Sequence, residues 1–125
     1  MSQQDTQLIY SGSDSLRAAL PDRLLLNITA QGNMKIPLDK GITTIGRRTA
    51  NDVCINSRFI SRFHARIINT AAGAIIEDLR SCNGIAVNGL QVRRHKLRSG
   101  DLIAIGRHQL RYIDLNDAVG VAGHA

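Results

Sequence analysis

The chain has 125 residues, of which 43% are hydrophobic and only 3% aromatic, and its formal net charge is +6. This length and composition indicate one globular domain with a core built mainly from Ile, Leu and Val. No apolar run approaches the ~18 residues that a membrane span needs, so we expect no membrane partner. The positive charge favours anionic partners, although a solvated basic surface would have the same composition.

Two further features bear on where the protein works and what it contains. The N-terminus is polar and lacks the basic and then apolar pattern of a secretory signal. The cysteines Cys54 and Cys82 are too few and too far apart in sequence to indicate a metal cluster or a disulfide framework. We therefore expect a reduced, cytoplasmic protein with no metal and no cofactor.

The sequence divides into an arm, a domain and a tail. Residues 1–22 are rich in Ser, Asp and Gln without a clear period, which predicts a flexible arm. Residues 23–113 form the domain, and residues 114–125 form a tail of small residues. In the domain, β-rich runs recur every ~8–12 residues with turn signals between them, as is typical of an all-β sandwich or barrel. The predicted strands cover residues 24–29, 34–38, 42–45, 53–55, 64–69, 74–79, 85–87, 91–92, 102–106 and 109–113.

Three of these predicted strands adjoin clusters of polar residues, which loops on a β scaffold often use for binding. The clusters are Gly46-Arg47, Ser61-Arg62-x-His64 and Arg80-Ser81-Cys82-Asn83-Gly84. A guanidinium group matches phosphate oxygens with two parallel hydrogen bonds, so Arg47 is the first candidate for a bound phosphate. Ser61 adds a hydroxyl donor and Arg62 a second cation, while Asn83 can both donate and accept, which suits a peptide main chain. Together the clusters predict a site for a phosphate-bearing ligand.

Other residues of these clusters are interpreted as shaping the loops. Gly46 permits a close backbone approach that a side chain would block, and Gly84 suits a conformation that other residues avoid. Asn88 begins a typical hairpin turn. His64 follows Ser61 by three residues, and residues at that spacing point to opposite faces of a strand. We therefore interpret His64 as a buried or half-buried group that hydrogen-bonds loop backbone, and not as a catalytic base.

Taken in order, these residues resemble the forkhead-associated (FHA) domain over residues 24–113. The series continues through Val87-Asn88-Gly89 and Leu97-x-x-Gly100-Asp101-x-Ile103-x-Ile105-Gly106. The resemblance implies an eleven-stranded β-sandwich that binds phosphothreonine peptides through loops at one edge, downstream of a Ser/Thr kinase. It also implies residue roles: Arg47 and Ser61 on the phosphate, Asn83 on the peptide backbone, Gly46 and His64 holding the loops, and Arg62 as a further ligand contact.

The chain departs from the family at one position. FHA domains usually have Ser or Thr before the Asn-Gly pair, where this sequence has Cys82. A thiol is a poor donor, so we expect one hydrogen bond fewer near the phosphothreonine, which Arg62 or Arg80 could offset. In the family, residues near the site also select the third residue after the phosphothreonine, and Phe59 suggests an apolar preference there.

Two other functions compete with that of a non-catalytic phosphothreonine-binding module in kinase signalling. The net charge and the basic run Arg93-Arg94-His95-Lys96-x-Arg98 suggest a domain that binds nucleic acid or another anionic partner independently of phosphorylation. However, two Phe and two Tyr provide few platforms for stacking bases, which argues against nucleic acid. An enzyme has the least support, because the sequence contains no P-loop, no His-Glu-x-x-His motif and no convincing triad.

The arm suggests a narrower hypothesis. Thr6 could be phosphorylated and could then dock at the Arg47 site of the same or a neighbouring molecule.

Overall fold

The computed structural model describes residues 7–10, 22–28 and 34–116, with the backbone alone for residues 7–10. Twelve strands lie within these residues. They are β1 (Gln7–Tyr10), β2 (Arg23–Asn27), β3 (Lys35–Pro37), β4 (Ile42–Gly46), β5 (Val53–Asn56), β6 (Ala65–Thr70), β7 (Gly73–Asp78), β8 (Ile85–Val87), β9 (Leu90–Val92), β10 (Arg94–Lys96), β11 (Leu102–Ile105) and β12 (His108–Asp114).

The strands form two six-stranded sheets, in the orders β1-β5-β4-β6-β7-β10 and β3-β2-β12-β11-β8-β9. Neighbouring strands pair antiparallel in every case that the described residues include, except for β4 and β5, which are parallel. The predicted all-β sandwich is confirmed, and β2 to β12 supply the eleven strands that the family resemblance implied. Pro37 lies in β3 at the edge of the second sheet, where a residue without an amide hydrogen is tolerated.

The core lies between the sheets and is built from alternate residues of the strands. In β6, for example, Ala65 and Ile67 are buried while Arg66 and Ile68 are partly exposed. Ile is the commonest core residue, as the low aromatic content predicted. The core residues are Leu25, Ile36, Leu38, Ile45, Val53, Ile55, Ile60, Ala65, Ile67, Ala74, Ile76, Ile85, Val87, Leu97, Ile103, Ile105, Leu110 and Tyr112.

The prediction of a flexible arm is wrong at Gln7–Tyr10, which forms β1 and pairs antiparallel with β5. Four residues are too few to establish a strand period in the sequence, and the pairing depends on the free edge of β5, which only the fold provides. At the other end, β12 runs to Asp114, the first residue of the predicted tail. Thr6, the rest of the arm before residue 22, and residues 117–125 lie outside the described residues. No helix in the described ranges is long and apolar enough to cross a membrane.

The polar clusters meet at one edge of the sandwich. β4 ends at Gly46, β6 begins at Ala65 and β7 ends at Asp78, and these three strands are antiparallel neighbours. The turn between β11 and β12 reaches the same edge, because a Cβ atom at Gly106 would lie 2.7 Å from Ile60 Cγ1. We refer to this region as the site edge, and it comprises residues 47–52, 57–64, 79–84 and 106–107.

Asp52 fixes the base of the loop that follows β4. Its carboxylate accepts a hydrogen bond from the Thr44 amide at 2.8 Å and pairs with Lys40 at 2.5 Å. Partial burial alone would raise the pKa of Asp52, but the hydrogen bonds from Lys40 and Thr44 outweigh burial and hold the pKa below its usual value of 3.8. The ionised form of Asp52 is therefore the form that stabilises the fold.

We predict that Asp52→Asn lowers stability in a pH-dependent way. Since the pKa of Asp52 is lower in the folded than in the unfolded state, its contribution is fully present above about pH 4 and disappears as the pH falls through the folded-state pKa. Urea denaturation at neutral pH should show a lower midpoint for Asp52→Asn than for wild type, and the gap should close in acid. Asp39→Asn, which alters an exposed carboxylate, is the matched control. A gap that stays constant with pH would contradict this role.

Candidate functional site

His64 connects two loops of the site edge. Its side chain is fully buried, Nδ1 accepts a hydrogen bond from the Ser61 amide at 2.9 Å, and Nε2 lies 2.8 Å from the Gly84 carbonyl oxygen. Because Nδ1 must be unprotonated to accept, the neutral ring carries its proton on Nε2 and donates it to Gly84, whose φ of 74° is positive. Both ring nitrogens are therefore used, and neither can act as a base towards the Ser61 hydroxyl.

Gly46 allows the first loop to approach the second. A Cβ atom at this position would lie 2.3 Å from the Arg62 carbonyl oxygen and 2.7 Å from Asn51 Nδ2. In the absence of a side chain, the Arg48 amide donates to the Arg62 carbonyl at 3.2 Å and the Arg47 amide donates to the Ser61 carbonyl at 3.0 Å. The close approach expected of Gly46 is thus used to join two loops.

Asn51 is a loop-shaping residue that sequence reasoning missed. Its side chain is buried, and Nδ2 donates to the carbonyl oxygens of Arg48 at 2.9 Å and Arg62 at 2.8 Å. An Asn in a polar loop has the appearance of an ordinary turn residue. The one available signal is its position, four residues after Arg47 and directly before Asp52.

The predicted ligand-binding groups converge on a cavity of about 270 Å³. Its lining contains arginines, small polar groups and one aromatic ring, but no carboxylate, so it attracts anions. The lining residues are Arg47, Arg58, Phe59, Ile60, Ser61, Arg62, Cys82 and Asn83.

The loop contacts leave specific atoms available to a ligand. Arg47 Nε donates to the Ile60 carbonyl at 3.0 Å, which fixes the side chain while the terminal nitrogens of the guanidinium have no partner among the described residues. Ser61 Oγ accepts from the Cys82 amide at 3.0 Å, so its own proton can be donated outward. Asn83 Nδ2 donates to the Phe59 carbonyl at 2.8 Å, which leaves Oδ1 as an acceptor.

Two of the predicted site residues lie elsewhere. Arg80 does not line this cavity but the neighbouring groove of about 750 Å³, where Cys82 is the shared wall. Asn88 belongs to the opposite end of β8: Nδ2 donates to Asp101 at 2.9 Å, and Oδ1 accepts from the Leu102 amide at 2.9 Å. Asn88 therefore shapes the β8–β9 turn, as its hairpin pattern predicted, and it lies away from the site edge.

The basic run at residues 93–98 does not form one patch. Arg94 pairs with Glu77 at 3.3 Å, and the His95 ring lies 3.5 Å from the Asp101 carboxylate. Arg93 lines the groove beside Cys82. The remaining cations, Lys96 and Arg98, line a separate cleft away from the site edge. Strand alternation and neighbouring carboxylates thus disperse charges that are continuous in the sequence.

Arg58 and Arg107 are cations of the site edge that sequence reasoning did not identify. The guanidinium carbon of Arg107 lies 3.9 Å from the centre of the Phe59 ring, and that of Arg58 lies 5.2 Å from it. Arg107 is in the β11–β12 turn, 48 positions from Phe59 in the sequence. No local pattern could have joined them.

Comparisons with known proteins agree with this geometry. The family model of the FHA domain matches residues 43–106. The ABC transporter ATP-binding/permease protein of Mycobacterium tuberculosis is 37% identical over 90 residues, which are 72% of this chain and 10% of the transporter. The oxoglutarate dehydrogenase inhibitor of Corynebacterium diphtheriae is 30% identical over 104 residues, which are 83% of this chain and 73% of the inhibitor.

Solved structures show the same fold. Mycobacterium tuberculosis EmbR in complex with a low-affinity phosphopeptide aligns with a TM-score of 0.72 and 30% identity, over 90% of this chain and 27% of EmbR. A structure from a study of phosphothreonine-dependent FHA domain interactions aligns with a TM-score of 0.68 and 26% identity, over 73% of this chain and 95% of that one. The chain belongs to the FHA domain family, a family of recognition modules.

We predict that His64→Ala lowers the free energy of unfolding by about 3 kcal/mol, because it removes two hydrogen bonds and leaves a cavity. His95→Ala is the matched control, since this histidine is half-exposed and its contact with Asp101 is a long one. The control should change stability by less than about 1 kcal/mol. Urea denaturation measures both effects. Equal losses of unfolding free energy in the two variants would contradict the stabilising role of the His64 hydrogen bonds.

Proposed function

We propose that this domain recognises phosphothreonine in a partner protein and that its function is binding without catalysis. The observation that carries the proposal is the convergence of the Arg47 guanidinium, the Ser61 hydroxyl and the Asn83 amide on one carboxylate-free cavity of about 270 Å³. The family membership and the phosphopeptide complex of EmbR support the same conclusion.

The chemistry of the cavity suits a phosphate monoester. Phosphothreonine carries about −1.5 to −2 charges at pH 7 and offers three acceptor oxygens. In this proposal the terminal nitrogens of Arg47 and the Ser61 hydroxyl bind those oxygens, Arg62 adds charge, and Asn83 Oδ1 accepts from a peptide amide. Unphosphorylated threonine would leave these donors unpaired, so discrimination between the two ligands should be large.

The contacts of Ser61 and His64 support a function without catalysis. A nucleophilic serine needs a neighbouring base, and the candidate, His64, uses both ring nitrogens on loop backbone. We also infer a cytoplasmic location and a Ser/Thr kinase that acts upstream to write the mark. The nucleic-acid alternative loses its main motive, because the basic run at residues 93–98 is divided among three regions.

Arg47→Ala should abolish phosphothreonine-dependent binding. Loss of charge-assisted hydrogen bonds to the phosphate predicts at least about a 30-fold drop in affinity. The measurement is binding to an oriented phosphothreonine peptide library, with phosphoserine and unphosphorylated libraries for comparison. Arg98→Ala removes the same charge at a distance from the site edge and should bind like wild type. Phosphorylation-independent binding, or unchanged binding by Arg47→Ala, would refute the proposed function.

Cys82→Ser should strengthen binding. Cys82 lines the cavity, and its thiol is a weak donor where most FHA domains have a hydroxyl. A serine hydroxyl that reaches the phosphothreonine would raise affinity by about three- to tenfold, the worth of one net hydrogen bond. Cys82→Ala, which adds no donor, should remain near wild type. The measurement is calorimetry with one selected peptide. Equal affinities of the serine and alanine variants would show that a hydroxyl at position 82 does not donate to the phosphothreonine.

A further inference from the structure

We propose that the partner segment carries further negative charge beside its phosphothreonine, and that Arg107, held against the Phe59 ring, binds this charge. The inference rests on the proposed function, since it specifies the chemistry of the same ligand. The second anion is a group with exposed anionic oxygens, either the carboxylate of an acidic side chain or a second phosphate.

Arg107 is held in place by the ring of Phe59. A guanidinium 3.9 Å from a ring centre is attracted by the π-electrons of the ring face, while its N–H groups remain at the edge of the plane. The backbone that carries this ring is fixed, because the Phe59 amide donates to Ser57 Oγ at 3.2 Å and the Phe59 carbonyl accepts from Asn83 Nδ2 at 2.8 Å. Arg107 is thus coupled to the same Asn83 side chain that lines the ligand cavity.

The turn that carries Arg107 is packed tightly against the site loop. Gly106 has a φ of 60°, and a Cβ atom there would lie 2.7 Å from Ile60 Cγ1 and 3.1 Å from the Phe59 carbonyl oxygen. Only glycine fits this approach without displacement of the loop. The position of Arg107 next to Phe59 is therefore set by backbone packing.

The charge at the site edge exceeds what one phosphate needs. Arg47, Arg58 and Arg62 line the cavity, and Arg107 adjoins it on the ring of Phe59. None of these four guanidinium groups pairs with a carboxylate of the described residues. Asp78, at the end of β7, binds Ser81 through its carboxylate and does not neutralise them. A single phosphothreonine supplies about two negative charges, which leaves about two cations without a counter-charge.

This arrangement changes the specificity suggested by the sequence. Phe59 alone predicted an apolar preference in the ligand, because an aromatic side chain close to the site offers an apolar surface. With Arg107 and Arg58 beside it, the ring serves as a support for cations. An acidic or phosphorylated side chain then gains more from this surface than an apolar one does.

The test uses the full chain and one phosphothreonine peptide in four versions. Its flanking residues are all Gln, all Glu, all Leu, or Gln with a second phosphothreonine, and fluorescence anisotropy gives each affinity. Wild type should bind the Glu-flanked or the doubly phosphorylated version about three- to fivefold more tightly than the Gln-flanked one, as expected of exposed ion pairs. Preference for Glu identifies acidic side chains as the second anion, and preference for the doubly phosphorylated version alone identifies a second phosphate.

Arg107→Gln should lose this preference while its affinity for the Gln-flanked peptide stays within about twofold of wild type. Arg98→Gln, an equal charge change in the remote cleft, should keep the preference. Phe59→Leu should reduce it, since Arg107 then loses its support. Equal binding of all four versions, a preference for Leu, or an equal loss in Arg98→Gln would overturn the inference and leave the proposed function intact. If the folded wild type binds no phosphopeptide, both fail.

Discussion

The buried imidazole of His64 is the contact on which the site depends. Its two hydrogen bonds join the Ser61 amide to the Gly84 carbonyl, and so connect the loop before β6 with the loop after β7. Gly46 completes the arrangement by letting the loop after β4 approach within a distance that no side chain would allow. Three loops are thereby fixed to one another by contacts within the protein, which reduces the ordering cost of binding.

The sequence could predict features that depend on neighbouring residues, but not contacts between distant segments of the chain. The succession of short strands and turns, and the polar clusters beside three of those strands, depend on neighbours in the chain, so both could be predicted from the sequence. The structure also brings Arg47, Ser61 and Asn83 to one cavity, because strands that are antiparallel neighbours bring their adjoining loops together. Contacts between distant segments were not accessible: β1 needs the edge of β5, Arg107 needs Phe59, and the carboxylates that divide the basic run are on other strands.

Burial also decides which polar residues serve the fold and which serve a ligand. His64 and Asn51 are buried and spend their hydrogen bonds on loop backbone, whereas Arg47, Arg62 and Asn83 are exposed and retain atoms for an external partner. The buried group forms the framework of the site, while Cys82 and the arginines around Phe59 lie on its exposed surface. Affinity and partner choice are therefore expected to vary through exposed residues on a constant framework.

The central claim is that the three loops form one site already organised before binding. The most direct measurement is a nuclear magnetic resonance titration of isotope-labelled protein with a single phosphothreonine peptide, following every backbone amide. We predict that the signals of residues 47–48, 59–62 and 81–84 are sharp and resolved before ligand is added and that they shift when it binds. The signals of residues 94–98 should not respond. Site-loop signals that emerge only with ligand, or shifts centred on residues 94–98, would contradict it.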